Sequence, residues 1–350
     1  MTWDPTTLPT ARGRTYAVTG ATAGIGYFAA EQLATTGAHV VLAARSRARL
    51  DRAAASIRRE VPGATVSTVV LDLASLASVR RAGRELAGLD RLDGVLLNGG
   101  SMSTARQTTT ADGHPELLGT HVIANVALTV ALLPALTRDG GRVAHTTTGF
   151  VRRWKPVVTD VTTPHRGFFR NYTWAKTVTE LYAHELDRRL RAAGSPVASI
   201  LTFPGVGVDA RTPARDGVFD PRTQGRRNPF TPWAQGKDTA AWAGVRALLD
   251  PGLRGGELLG PRDGRRGLPV TNEPNAHTAR PGPARIARLW DQLHELSGAP
   301  AAAPLQPAAR ADRRREAGRQ DAVATPPTTS STTSSATSST TTPGTSARSR

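Results

Sequence analysis

A chain of 350 residues without cysteine is long enough for one large core or two small ones, and it can hold neither a disulfide framework nor a thiolate metal site. Its net charge of +17 rests almost wholly on arginine, spread along the chain with no aromatic-interleaved basic block and no zinc-finger spacing, so solvated helix faces rather than a nucleic-acid partner are expected. No basic-then-apolar leader opens the chain, and the longest apolar stretch, 122–136, is short for a bilayer and contains Asn125 and Thr129, so a cytoplasmic protein with no membrane span is expected.

After a loose lead-in over 1–14, the run Thr15-Tyr16-Ala17-Val18 reads as a strand. It enters Thr19-Gly20-Ala21-Thr22-Ala23-Gly24-Ile25-Gly26 and then a segment of helical spacing from Phe28 onward. Strand, glycine turn and helix are what a phosphate needs. Gly20 permits the tight turn, Gly24 lets backbone N–H groups approach an anion, Gly26 allows close helix–strand packing, and the helix N-terminus adds partial positive charge. Val40-Val41-Leu42-Ala43-Ala44 is a buried-type strand that ends at Arg45. Ser46 caps a helix through 59 with Leu50, Ala53, Ala54 and Ile57 on one face. A third strand over 65–71 ends in Asp72-Leu73, a helix covers 75–86, and Gly94-Val95-Leu96-Leu97 is the fourth strand.

The second half repeats the alternation. A long apolar helix over 117–136 precedes a strand at 141–145, then a loop of about twenty residues that carries Phe150, Trp154, Phe168 and Phe169. A helix over 172–193 and a strand over 197–203 follow. Residues 206–237, rich in Gly, Pro and Arg, are expected to form a mobile segment over the ligand site. A helix near 239–249, a strand at 257–259 and a helix near 284–296 close the domain. Between 325 and 346, 17 of 22 residues are Ser or Thr, so 299–350 is expected to be a disordered tail behind a domain of residues 1–298. Strands alternating with helices of this length define an α/β fold, a doubly wound parallel sheet with helices on both faces.

The clearest chemical signal is Tyr172-Thr173-Trp174-Ala175-Lys176. Positions i and i+4 share a helix face, so phenol and ammonium can address one cavity. A nearby cation favours phenolate and is expected to lower the tyrosine from its ordinary value of about 10. Such a group is a general acid for a carbonyl oxygen or a base for an alcohol. Three lysines and four tyrosines in the whole chain make a chance pairing at this spacing uncommon. The histidines are scattered without metal-ligand spacing, and no G-x-S-x-G follows a strand.

Together these motifs resemble the short-chain dehydrogenase/reductase family, closest to its retinol-dehydrogenase-like and WW-domain-oxidoreductase-like branch, over about residues 13–298. TGATAGIG matches the family's TGxxxGIG, YTWAK its YxxxK, and Pro204-Gly205 the Pro-Gly after the sixth strand. Gly255-Gly256-Glu257-Leu258-Leu259-Gly260-Pro261 and Leu289-Trp290-Asp291-Gln292-Leu293 resemble the branch's C-terminal segments. The resemblance implies a Rossmann-type fold and hydride transfer between a nicotinamide cofactor and a carbonyl or secondary alcohol, with Tyr172 as proton donor or acceptor and Lys176 on the nicotinamide ribose. It places the substrate-orienting hydroxyl at Thr148, with Thr147 one register away. It puts His121 where the family has an asparagine that relays protons through water, so a pH inflection near the ordinary histidine value of about 6.5, shifted by the surroundings, is expected. Gly20, Thr22, Gly24, Ile25, Gly26, Arg45, Asp72, Leu73, Asn98, Gly99, Gly100, Pro204 and Gly205 join Tyr172 and Lys176 as expected cofactor contacts. Leu97 and Gly99 depart from the family's Asn-Asn-Ala-Gly, whereas Asn98 and Gly100 keep it.

Cofactor choice has its own argument. NAD sites place a carboxylate at the end of the second strand to bind the ribose 2′-hydroxyl. Here that end is Ala43-Ala44-Arg45-Ser46, and an arginine fork suits a 2′-phosphate, so NADP is expected over NAD. The aromatics at 150–169 point to a hydrophobic small-molecule substrate, and a homo-oligomer is compatible with the likeness. The alternative is a catalytically weak or inactive dinucleotide-binding sensor or scaffold, marked by His121 and Leu97.

Overall fold

The computed structural model describes residues 3–101, 108–163, 167–220 and 231–301. Its first half alternates strand and helix: β1 (Thr15–Thr19), α1 (Gly24–Thr35), β2 (His39–Ala44), α2 (Arg47–Glu60), β3 (Thr65–Val70), α3 (Leu76–Ala87) and β4 (Gly94–Leu97). Next come α4 (Glu116–Leu118), a π turn over Gly119–Ile123 and α5 (Ala124–Asp139), which form one continuous rod. β5 (Arg142–Thr146), α6 (Phe150–Trp154), α7 (Phe168–Ala192), β6 (Ala198–Thr202), α8 (Lys237–Ala240) and α9 (Trp242–Leu249) follow. The chain closes with β7 (Leu258–Pro261), β8 (Pro269–Asn272), α10 (Ala276–Ala279) and α11 (Pro283–Ser297).

Among the described residues, eight strands lie in the order β3-β2-β1-β4-β5-β6-β7-β8. All pair in parallel except β7 with β8, whose register runs antiparallel from Leu258↔Asn272 to Pro261↔Pro269. That edge strand is an addition to the expected doubly wound parallel sheet; at four residues beside a glycine-rich turn, its sequence carries too short a pattern to read. Alternation along each strand sends side chains to opposite faces. Ala17, Val41, Val95 and Val143 pack with α3, α5, α7 and α11 on one face. Tyr16, Val40, Leu42 and Leu96 pack with α1, α2 and α9 on the other. Each fully buried Val or Leu contributes about 1.5–3 kcal/mol, so the two layers fix the sheet from both sides.

The expected loop of about twenty residues after β5 is shorter, because Phe150–Trp154 forms a helical turn and Phe168 already begins α7. The apolar stretch also differs: Glu116–Asp139 is 24 residues, long enough to cross a membrane, but 83% of its apolar window is buried within the fold. It is placed as a core helix. Residues 206–220 and 231–237, the described parts of the expected mobile segment, are held by backbone bonds from Val208 to Gln235, Gln235 to Val206 and Val206 to Arg265. From residue 302 the expected disordered tail lies outside the described residues.

The order of strands matters for function. The chain moves outward from β1 to β3 and then returns to β4, opening a crevice at the carboxyl ends of β1 and β4.

Candidate active site

Every expected site residue falls among the described ones. At the crevice, Thr19 ends β1 fully buried, and its hydroxyl accepts from the backbone N–H groups of Asn98 (3.1 Å) and Gly99 (2.9 Å) while donating to the Leu96 carbonyl (3.3 Å). One hydroxyl thus stitches the end of β1 to the end of β4. Space at this junction admits no side chains: a Cβ on Gly26 would lie 2.5 Å from the Gly20 carbonyl oxygen and 2.7 Å from Asn98 Nδ2, and one on Gly20 would lie 2.8 Å from Gly99 Cα. Gly20 also has φ +68°, a left-handed turn that suits glycine. Asn98 Nδ2 donates to the Thr19 carbonyl at 3.4 Å.

Ser46 and Ser75 cap α2 and α3 through their hydroxyls, whereas Ala23 leaves α1 with no side-chain cap. The first-turn N–H groups of α1, behind the glycine turn, therefore keep their partial positive charge for an anion. A dinucleotide pyrophosphate fits this cradle. Thr22 and Ile25 belong to the same turn, and Pro204-Gly205 follow β6, with Gly205 at φ +68° and Gln235 Nε2 donating to the Pro204 carbonyl at 2.8 Å.

Arg45 is exposed just past β2. The hydroxyls of Ser101 and Thr108, and then the Arg45 guanidinium, hold the Glu116 carboxyl below its usual range, which puts Arg45 within electrostatic reach of the start of α4. Asp72 accepts from the Ala74 N–H at 2.9 Å and so forms a turn after β3, with half-buried Leu73 beside it. A Cβ on Gly99 would meet Leu73 Cδ1 at 2.8 Å, which packs Leu73 against the end of β4. Leu97 is 2% exposed within the core layer of α3 and α5, so its departure from asparagine is absorbed by packing.

At the other end of the crevice α7 presents Tyr172 and Lys176 one turn apart. Lys176 is 3% exposed, and its Nζ donates to the Thr146 carbonyl at 2.7 Å, anchoring the helix to the last residue of β5. Burial nevertheless pushes its ammonium down to about 7, because desolvation of the charge outweighs one carbonyl. Burial pushes the Tyr172 phenol up to about 12, opposite to the lowering expected from its lysine. The ammonium sits 6.0 Å from the ring centroid, and the ring is flanked by Phe168 at 6.1 Å and His121 at 5.5 Å. An apolar wall, rather than the cation, dominates the phenol's surroundings.

The two threonine registers separate clearly. Thr147 is buried, and its hydroxyl donates to Glu180 Oε1 at 2.9 Å. That buried carboxylate also takes bonds from Asn275 and Thr278, both 2.8 Å, so Thr147 belongs to a structural network. Thr148 is half-buried and its hydroxyl makes a long 3.4 Å contact with the Phe150 N–H, which leaves it the freer of the two.

His121 lies on the π turn. Asn125 Nδ2 donates to its carbonyl at 2.8 Å, satisfying the backbone where the helix is wound wide. Its ring covers Gly100 so closely that a Cβ there would approach within 2.1 Å. Nε2 sits 2.8 Å from the Ser101 carbonyl, which can only accept, so Nε2 carries the proton. Nδ1 is a buried acceptor with no hydrogen-bond partner among the described residues. Burial, and then the nearby Lys176 charge, push the ring down to about 3, so the imidazole is neutral at physiological pH. The expected inflection near 6.5 does not belong to this group.

Rings then lead outward from the tyrosine. Phe168 meets Phe169 at 5.3 Å, Phe169 meets Phe150 at 6.5 Å, and Phe150 stacks on Trp154 at 5.3 Å. Phe169 is 58% and Trp154 43% exposed. Sequence reasoning missed Thr19 as a stitch and Lys237, whose side-chain stem lies 3.4 Å from where a Gly24 Cβ would stand. The scarcity of lysine was the available signal for the second.

A doubly wound sheet with an anion cradle at its switch point and a Tyr–Lys pair beside it defines a nicotinamide-dinucleotide oxidoreductase. A family model described as short chain dehydrogenase matches residues 14–153. Polyprenol dehydrogenase of Mus musculus is 34% identical over 306 residues, covering 84% of this chain and 87% of that one. Dehydrogenase/reductase SDR family member 13 of Bos taurus is 39% identical over 203 residues, covering 57% of this chain and 52% of that one. A crystal structure of an uncharacterized Mycobacterium paratuberculosis protein superposes with TM-score 0.66 at 27% identity, over 85% of this chain and 98% of the other. The chain belongs to the short-chain dehydrogenase/reductase family, in its retinol-dehydrogenase-like branch.

Proposed function

We propose that this enzyme is NADP-dependent and passes a hydride between the nicotinamide and a carbonyl or secondary alcohol on an extended apolar molecule. The observation that carries the substrate class is the run of rings from Tyr172 through Phe168, Phe169 and Phe150 to the exposed Trp154. An apolar chain laid along these faces gains about 25 cal/mol for each Å² it buries. A relative named polyprenol dehydrogenase supports the same class by its name.

Bound in the cradle, the cofactor supplies or accepts the hydride. The chain's own residues manage the proton. A phenol held at about 12 is fully protonated at neutral pH, so Tyr172 Oη is suited to donate to a carbonyl oxygen as negative charge develops on it. The Thr148 hydroxyl is the second donor to that oxygen and fixes its orientation. Lys176, tethered to Thr146, holds the ribose, and with its ammonium pushed down to about 7 it is near half-protonated beside the phenol at neutral pH. Neutral His121 offers Nδ1 as an acceptor in the same buried wall. Arg45 is the ligand for the 2′-phosphate.

The test is a panel of aldehydes and ketones graded in apolar chain length, followed by loss of NADPH and NADH absorbance. The expected result is faster NADPH oxidation with rising kcat/KM as the chain lengthens. Equal turnover of short polar carbonyls would remove the apolar assignment. Tight NADPH binding without turnover of any member would favour the sensor reading.

A further inference from the structure

Lys237 opens α8, the short helix that follows the loop after β6. Three contacts fix where its side chain goes. Its backbone N–H donates to Thr212 Oγ1 at 2.9 Å, and a Cβ on Gly207 would lie 3.5 Å from its Cγ. From the other side, Gln32 Nε2 of α1 donates to the carbonyl of the next residue, Asp238, at 2.8 Å. So α8 is pinned to α1, and the lysine stem is laid over the glycine turn. Measured from where a Gly24 Cβ would stand, Cδ is 3.4 Å away and Nζ 3.9 Å. Its ammonium pairs with Asp209, and the two side chains are 28% and 32% exposed.

A cation in this position meets the uncapped N-terminus of α1, whose own partial charge is positive. Without a ligand the two repel, and Asp209 supplies the neutralising charge. A phosphate in the cradle provides the same charge together with the α1 N–H groups.

We propose that Lys237 is a ligand of the dinucleotide pyrophosphate, and that Asp209 is its internal stand-in, exchanged for phosphate when the cofactor binds. The inference rests on the cofactor reading above, but it concerns the part of the molecule common to NADP and NAD. It makes Asp209, just past β6, a part of the phosphate site: Asp209 releases Lys237 to the cofactor, so that one ion pair and cofactor occupancy exclude each other.

The two partners therefore have opposite effects on binding, which a merely structural ion pair would not. Dissociation constants for NADPH and NADH are measured by fluorescence on the full chain, with thermal melts as a fold check. Lys237→Met is expected to weaken both cofactors about tenfold and to leave their ratio unchanged. Asp209→Asn is expected to tighten both several-fold, and this gain should vanish in the double variant Asp209→Asn/Lys237→Met. Lys237→Arg should restore most of the loss. Unchanged affinity in Lys237→Met, or weakening in both single variants, overturns the proposal. Wild-type protein that binds neither dinucleotide overturns the cofactor reading itself, a result distinct from any difference among variants.

Discussion

The phosphate end of the site is built from backbone and the hydride end from buried side chains. At the first, a Cβ on Gly20 or Gly26 would lie under 3 Å from neighbouring atoms, and the attractive groups are N–H dipoles at the start of α1. At the second, Tyr172, Lys176 and His121 sit in a wall of rings where burial moves all three titrations away from their ordinary values. Geometry sets the first end, desolvation the second. Substitutions should therefore fail differently: by clash and lost affinity at one end, by altered protonation at the other.

The largest effect is expected from Gly26→Val. A Cβ there is already 2.5 Å from a backbone oxygen, and overpacking of this kind costs about 1–3 kcal/mol. Melting should drop by about 5 °C and dinucleotide binding should be lost, as read by calorimetry and titration. A variant that binds with wild-type affinity would break the backbone account of that end. Arg45→Asp is next. It removes a charge-assisted pair and adds repulsion, so the NADP to NAD affinity ratio should fall by about a hundredfold with little change in melting. An unchanged ratio would move the 2′-phosphate contact elsewhere.

At the hydride end the effects are read against pH. The Lys176 ammonium titrates near 7 when folded and at its ordinary 10.5 when unfolded. Between these values the unfolded chain holds a proton that the folded one lacks, so this group makes stability rise as pH goes from about 7 to 10. Denaturant titrations across that window should show a gain of a few kcal/mol, accumulating at about 1.4 kcal/mol for each step of one in pH, and Lys176→Met should lack it. A flat wild-type profile would contradict the desolvated lysine. His121→Asn should give the smallest change, a few-fold in kcat. Because the ring is neutral down to about 3, kcat/KM should show no His121 inflection between pH 5 and 8. An inflection near 6.5 that disappears in the asparagine variant would return this residue to a titrating relay.

The contrast between the two ends also explains what the sequence made legible. Glycine at 20, 24 and 26 is a backbone requirement written directly in the chain, and the spacing of Tyr172 and Lys176 is a property of one helix. The strand and helix alternation through β6 was readable for the same reason, since each element carries its own period. Properties set by distant residues were not readable. The choice between Thr147 and Thr148 depends on Glu180 and on Asn275, more than a hundred residues downstream of either threonine. The protonation of His121 depends on burial beneath Ser101 and beside Lys176. The direction of the Tyr172 shift came out reversed because spacing reports the nearby cation and not the ring wall. β8 was missed because four residues hold too little pattern.

The most direct test of the account is Tyr172→Phe, followed by NADPH affinity and by single-turnover NADPH oxidation with an apolar aldehyde. The substitution removes one oxygen from a wall that is otherwise aromatic. The predicted result is unchanged NADPH binding with turnover reduced by about 10²–10⁴-fold, the range for removing a positioned general acid. Retention of wild-type turnover by the phenylalanine variant would contradict the assignment of Tyr172 as the proton donor, and with it the mechanism proposed for this site.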